Sequence, residues 1–252
     1  MNFWGNYLQN YVHKDSFDKD FETNNNLQNG NSFAFELDKE TTHALKQLAS
    51  REKVTFYTIL VTTLNILIHK YSDHKDILIS TVSSGRQASE LINLIGMFAR
   101  VLPLRTSIEE EKAFTLLLKE TQNNLLDIND YEEVPFGVMG KTVFDVMLVY
   151  QNPEFSFENL NFLNNVKLSF YSAENKYSRM PLVFNLFESD HKLKGTIDYN
   201  CNLYKEETIK SIATRYCNLL NEIIKTPEMK ICLMDIQSKY RKNTKFDFDF
   251  NF

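Results

Sequence analysis

With 252 residues, 43% of them hydrophobic and 24% charged, the chain has enough material for one large domain or two modest ones, each with a real core. A net charge of −5 leaves no basic footprint for nucleic acid. Only seven glycines are present, and none falls in G-x-G-x-x-G or G-x-x-x-x-G-K-[ST], so no phosphate-cradling loop is expected.

Taken in chain order, Trp4, Tyr7, Leu8 and Tyr11 share a helical spacing within residues 1–12. The Asn-rich stretch that follows has no periodicity and reads as a linker to about residue 30. "SFAFEL" alternates as a strand, and Asp38 is placed to cap a helix over "KETTHALKQLASRE". Thr55 caps a second helix to about Tyr71 that is apolar on nearly every side, so it belongs in the interior. "DILISTVSS" is a continuous apolar strand of the buried type. In "NLIGMFARVLPLR" a turn-like start leads into a strand that Arg100 interrupts. Ser107 and Glu110 have capping-box spacing ahead of a helix with Phe114, Leu117, Leu118, Thr121 and Leu125 inward. Four strand-like runs follow, "TVFDVMLVYQN", "VKLSFYS", "PLVFNLFES" and "LKGTIDYN", which predict an antiparallel portion. An amphipathic helix then turns Ile209, Ile212, Ala213, Tyr216, Leu220 and Ile223 inward. The fold class expected is α/β, a mixed sheet with flanking helices. The tail, 239–252, ends in alternating Phe and Asp or Asn.

The chemistry-bearing residues form no constellation. None of the five histidines lies in H-E-x-x-H, so no metal is expected; His69 and His74 flank a helix end, where a helix dipole favours them. G-x-S-x-G is absent, and the carboxylate runs Glu109–Glu111 and Glu132–Glu133 read as solvated helix faces. Cys201, Cys217 and Cys232 have no C-x-x-C spacing and are expected to be buried thiols in a reducing cytosol. No window approaches 18 uncharged apolar residues and no basic n-region precedes an apolar start. A cytoplasmic protein with no membrane partner is expected.

Six stretches in order carry a resemblance. "FWGNYLQNY" is similar to a Y-W-x-x-x-L run, "YSDHKDILISTVSSGR" to Y-S-x-x-x-D-I-x-x-G-T-x-x-x-G-R, and "LIGMFARVLPLR" to I-G-x-F-V-N-T-x-x-x-R. "YEEVPFG" resembles H-Q-D-x-P-F-E, "VFDVMLVYQN" resembles P-L-F-Q-V-M-F-x-x-Q-N, and "NLYKEETIKSIATRYCNLLNEII" matches a final helix. Together, over about residues 3 to 236, they resemble the C-terminal half of the condensation domains of nonribosomal peptide synthetases, which have a chloramphenicol-acetyltransferase-like fold.

The resemblance implies an interlobe helix and linker over 1–30, a C-terminal lobe over 31–238, and a tail over 239–252. It implies that Trp4 and Arg86 serve the lobe interface, Arg86 by pairing with the aspartate of the family's H-H-x-x-x-D-G. Gly96, Phe98, Arg100, Pro135 and Phe136 are the implied tunnel-lining residues. Arg100 either faces a phosphopantetheine arm or partner lobe, or snorkels to water from a strand edge. Motif positions differ: Ala99-Arg100-Val101 replace V-N-T and Tyr131 replaces the motif histidine. H-H-x-x-x-D-G does not occur, so no catalytic residue is assigned. Amide-bond formation with an N-terminal lobe in trans is the implied function; the alternatives are non-catalytic binding of carrier proteins or synthetase subunits, or a degenerate fragment. No cofactor binds directly; substrates ride on the phosphopantetheine of partner carrier proteins. Residues 1 to about 30 are expected to reach away from the core, leaving Trp4, Arg86 and the Phe98–Arg100 strand on an exposed apolar face.

Overall fold

A computed structural model describes residues 2–22, 28–133, 144–151, 176–178 and 180–236. A six-stranded mixed sheet, in the order β1-β6-β5-β4-β2-β3, carries four helices on one face. Its strands are β1 (Gly30–Leu37), β2 (Asp76–Ser83), β3 (Arg100–Ser107), β4 (Val146–Gln151), β5 (Leu182–Ser189) and β6 (Lys192–Asn200). Alternation places Phe35, Leu37, Leu182, Phe184, Leu186, Leu193 and Ile197 in the core, where period-two side chains of one face meet the helices.

The helices start where the sequence places their caps. Asp38 accepts from the Thr41 N–H at 2.7 Å and opens α2 (Lys39–Glu52). Thr55 accepts from the Thr58 N–H at 3.1 Å and opens α3 (Phe56–Ser72), which is buried almost throughout. Its threonines are satisfied locally: Thr62 and Thr63 donate to the Thr58 and Ile59 carbonyls at 2.7 and 2.8 Å. α4 (Phe114–Asp130) and α5 (Glu206–Lys225) flank α3, and every residue expected to face inward on α5 is buried.

Four expectations are corrected. The antiparallel expectation holds for β5–β6, but β4 pairs parallel with both β2 and β5; periodicity alone does not encode strand direction. The Ser107–Glu110 capping box does not form. Ser107 is still paired to Asp76 in β3, and α4 starts from Ala113, where Lys230 bridges and the Phe114 N–H reaches the Met229 carbonyl at 3.0 Å. Glu110 instead pairs with Lys75 at 3.2 Å. The three cysteines are half-buried rather than buried.

The largest correction concerns the N-terminal segment, which packs on this core rather than reaching away. α1 (Asn2–Tyr7) buries Trp4 to 3% exposure, and Phe17 in the following segment is 1% exposed. The Ser16 hydroxyl and N–H both donate to the buried Asp145 carboxylate, at 2.7 and 2.5 Å. The expected strand "VKLSFYS", Pro135, Phe136 and the tail 239–252 lie outside the described residues.

Candidate functional site

The β2–β3 hairpin opens into a loop, residues 84–99, whose geometry is set at Gly85. That residue has φ +65°, and a Cβ there would lie 2.0 Å from the Phe98 carbonyl oxygen, so only glycine closes the loop neck. Arg86 follows and fills the loop from within. Its guanidinium donates to the carbonyls of Leu91, Leu94 (2.8 Å) and Gly96 (3.4 Å) and lies 4.3 Å over the Phe98 ring. No carboxylate pairs with it among the described residues. Held this way, the loop turns Ile92, Leu94, Ile95 and Met97 to solvent, Ile95 and Met97 almost wholly.

A second layer ties the loop neck to the end of α4. The Ser83 hydroxyl donates to the Glu132 carboxylate and accepts from the Gly85 N–H at 3.2 Å. Arg100 donates to the Glu132 carbonyl at 2.7 Å, and Gln87 donates to the Asn129 carbonyl at 2.7 Å. Glu132 is 3% exposed, which corrects the solvated reading of its carboxylate run: one member of a charged pair turned inward to meet a hydroxyl. Beside it, Phe3 stacks on Tyr131 at 4.0 Å and the Trp4 indole N–H donates to the Tyr131 carbonyl at 3.2 Å.

Arg105 joins this layer to α1. It holds Asp76 through two contacts of 2.8 Å, donates to the Tyr7 and Gln9 carbonyls at 2.8 and 3.0 Å, and lies 5.6 Å from the Tyr11 ring. The Tyr7 hydroxyl accepts from the Arg105 N–H at 2.8 Å and donates to its carbonyl at 3.3 Å. Burial pushes this hydroxyl up to about 12, against the opposing pull of Arg105, so it stays neutral; the bond to Asp76 raises the Arg105 guanidinium further. Arg105 closes the "LIGMFARVLPLR" motif and was the signal in the sequence for this clasp, but periodicity gave no reason to single it out.

The structure therefore gathers Trp4, Arg86, Gly96, Phe98 and Arg100 around one hairpin end. Arg86 serves its own loop, and Trp4 is a buried strut rather than part of an exposed face. The layer offers cations and hydroxyls aimed at backbone groups. Among the described residues no group of three or more His, Cys, Asp and Glu could hold a metal, and no helix is long and apolar enough to cross a membrane.

The mixed six-stranded sheet with flanking helices is the chloramphenicol-acetyltransferase-like fold of its structural neighbours. The Condensation domain family model matches residues 1–244, and the chain belongs to that family. It is 27% identical over 237 residues to gramicidin S synthase 2 of Aneurinibacillus migulanus, covering 88% of this chain and 5% of that one. Among solved structures it resembles a holo-AB3403 four-domain nonribosomal peptide synthetase bound to AMP and glycine, with TM-score 0.84 and 18% identity over 94% of this chain and 20% of that one. The X-domain of teicoplanin biosynthesis, solved in complex with OxyB, superposes at TM-score 0.80 with 20% identity, over 94% and 55%. The chain thus spans a small part of the synthetases and about half of the X-domain chain.

Proposed function

We propose that this chain is the C-terminal half of a nonribosomal peptide synthetase condensation domain. In this reading it contributes to amide-bond formation between carrier-bound aminoacyl or acyl thioesters when an N-terminal lobe is supplied in trans. The carrying observation is the set of six motifs in family order, all of them of that half, within the residues 1–244 that the family model matches. In the proposed reaction the acceptor amine attacks the donor thioester carbonyl, the C–N bond forms as the C–S bond breaks, and the phosphopantetheine thiol leaves. The amine proton needs a base of suitable pKa near the reacting atoms. The partner lobe brings that histidine, while this lobe supplies one wall of the tunnel and the rigid Arg86 loop. The uncharged apolar stretch Leu91–Ala99 supports a partner surface, because exposed apolar patches mark interaction sites.

Arg86 favours a second reading. Its guanidinium makes three hydrogen bonds to carbonyls of its own loop, which supports a structural role that needs no acid from another lobe. A non-catalytic module that binds carrier proteins or synthetase subunits fits that, and the X-domain's complex with OxyB is a structural parallel.

The test pairs this chain with the lobe encoded by a neighbouring reading frame that carries H-H-x-x-x-D-G, using loaded phosphopantetheinyl carrier proteins. Amide product from the pair, and none from either half alone, is expected. Stable carrier binding without product would establish the second reading and overturn the first.

A further inference from the structure

The end of α4 leaves its last carbonyls without partners inside the helix, and side chains from two separate elements take them. From the β2–β3 loop and its neck, the Gln87 side chain donates to the Asn129 carbonyl and the Arg100 guanidinium to the Glu132 carbonyl, both at 2.7 Å. A cation there also complements the negative end of the helix dipole. From α1, the Trp4 indole N–H donates to the Tyr131 carbonyl at 3.2 Å. The Phe3 ring lies 4.0 Å from the Tyr131 ring with 7° between their planes. The buried Glu132 carboxylate receives the Ser83 hydroxyl, whose oxygen accepts from the Gly85 N–H. Residues 129–132 are thus gripped from two sides. Among the described residues no hydrogen bond or ring contact joins α1 directly to residues 84–99.

We propose that α1 is a latch for the apolar loop: Phe3 and Trp4, docked on Tyr131, fix the turn to which Ser83, Gln87 and Arg100 tie the loop, so α1 and residues 84–99 open and close as one unit. Neither part is well held by itself. From Leu91 to Ala99 the loop is uncharged and largely turned to solvent, so it buries little surface of its own. α1 has six residues, too few for a helix to persist without packing. Each therefore depends on the shared turn, and coupling through it is reciprocal. A partner that grips Ile95 and Met97 tightens α1, and release of α1 frees the loop. The inference stands on the contacts of residues 129–132, and not on the reading of function above.

Amide exchange of the full chain is the measurement. Leu91, Ile92 and Leu94 report on the loop, because their N–H groups are bonded to the Ala88, Ser89 and Leu91 carbonyls. Phe3→Ala removes the ring stacked on Tyr131, and Trp4→Phe removes the indole donor. Each is expected to speed the three loop amides at least about fivefold relative to the α3 amides, which open only with the whole fold. Phe3→Tyr keeps the ring and should leave the parent rates. From the other side, Ser83→Ala should speed the Leu8 amide, which is bonded to the Trp4 carbonyl at 3.0 Å, by a similar factor. Loop rates that stay at parent values in Phe3→Ala and Trp4→Phe, or rise no more than those of α3, would overturn the proposal. So would equal effects of Phe3→Ala and Phe3→Tyr, or a Leu8 amide indifferent to Ser83→Ala.

Discussion

At the scale of single residues, the hairpin loop depends on Gly85 and on the inward use of Arg86. Gly85→Ala forces a methyl against the Phe98 carbonyl and a left-handed backbone onto alanine, at a cost of about 1–3 kcal/mol. Thermal denaturation is expected to show that loss, together with faster amide exchange over 86–98; an unchanged Tm would mean the loop neck closes some other way. Glu222 gives a pH test. Burial raises its carboxyl above the ordinary range, against the lowering pull of a hydrogen bond from the Asp235 backbone, and one oxygen has no hydrogen-bond partner among the described residues. A raised folded-state value means the folded chain holds the proton more tightly than the unfolded one. The contribution is therefore fully present below the unfolded value and lost as pH rises through the folded one. Glu222→Gln should leave Tm unchanged near pH 4 and raise it by about 1–3 °C at pH 7, a small effect because the group is half-exposed. The same Tm shift at both pH values would contradict this.

Among the elements, the N-terminal segment is where sequence and structure part most. Caps at Asp38 and Thr55 and the inner face of α5 were legible because each is a local or periodic signal. The anchoring of residues 2–22 was not, because it is made by partners far along the chain: Tyr131 for Trp4, Arg105 for Tyr7 and Asp145 for Ser16. Resemblance supplied a bridging role for this helix, and that role points away from the core to which Trp4 and Phe17 belong. Phe17→Ala is expected to cost about 3–5 kcal/mol, as a buried aromatic does, while Val12→Ala, on a residue 71% exposed, should cost under about 0.5 kcal/mol. Urea denaturation of the two variants distinguishes a packed segment from a free arm; equal midpoints would show a free arm. The direction of β4 was likewise illegible, since a strand's own alternation is the same whichever way its neighbours run.

For the whole molecule, the family was legible from six short motifs, while the bonds of Arg86 within its own loop were not. That guanidinium donates to three carbonyls of its own loop, a local arrangement that motif spacing does not reveal. The consequence is a preorganised apolar prong, Ile92, Leu94, Ile95 and Met97, presented at the sheet edge without charge. If this prong seats a histidine-bearing lobe, Ile95→Asp with Met97→Asp should weaken that association at least about tenfold without changing Tm. The most direct measurement is amide product formed from carrier-bound thioesters by this chain mixed with the lobe that carries H-H-x-x-x-D-G. The account predicts product that needs both halves and falls in step with association in the Ile95→Asp, Met97→Asp variant. Product from this chain alone, or from the pair at an undiminished rate with that variant, would contradict it.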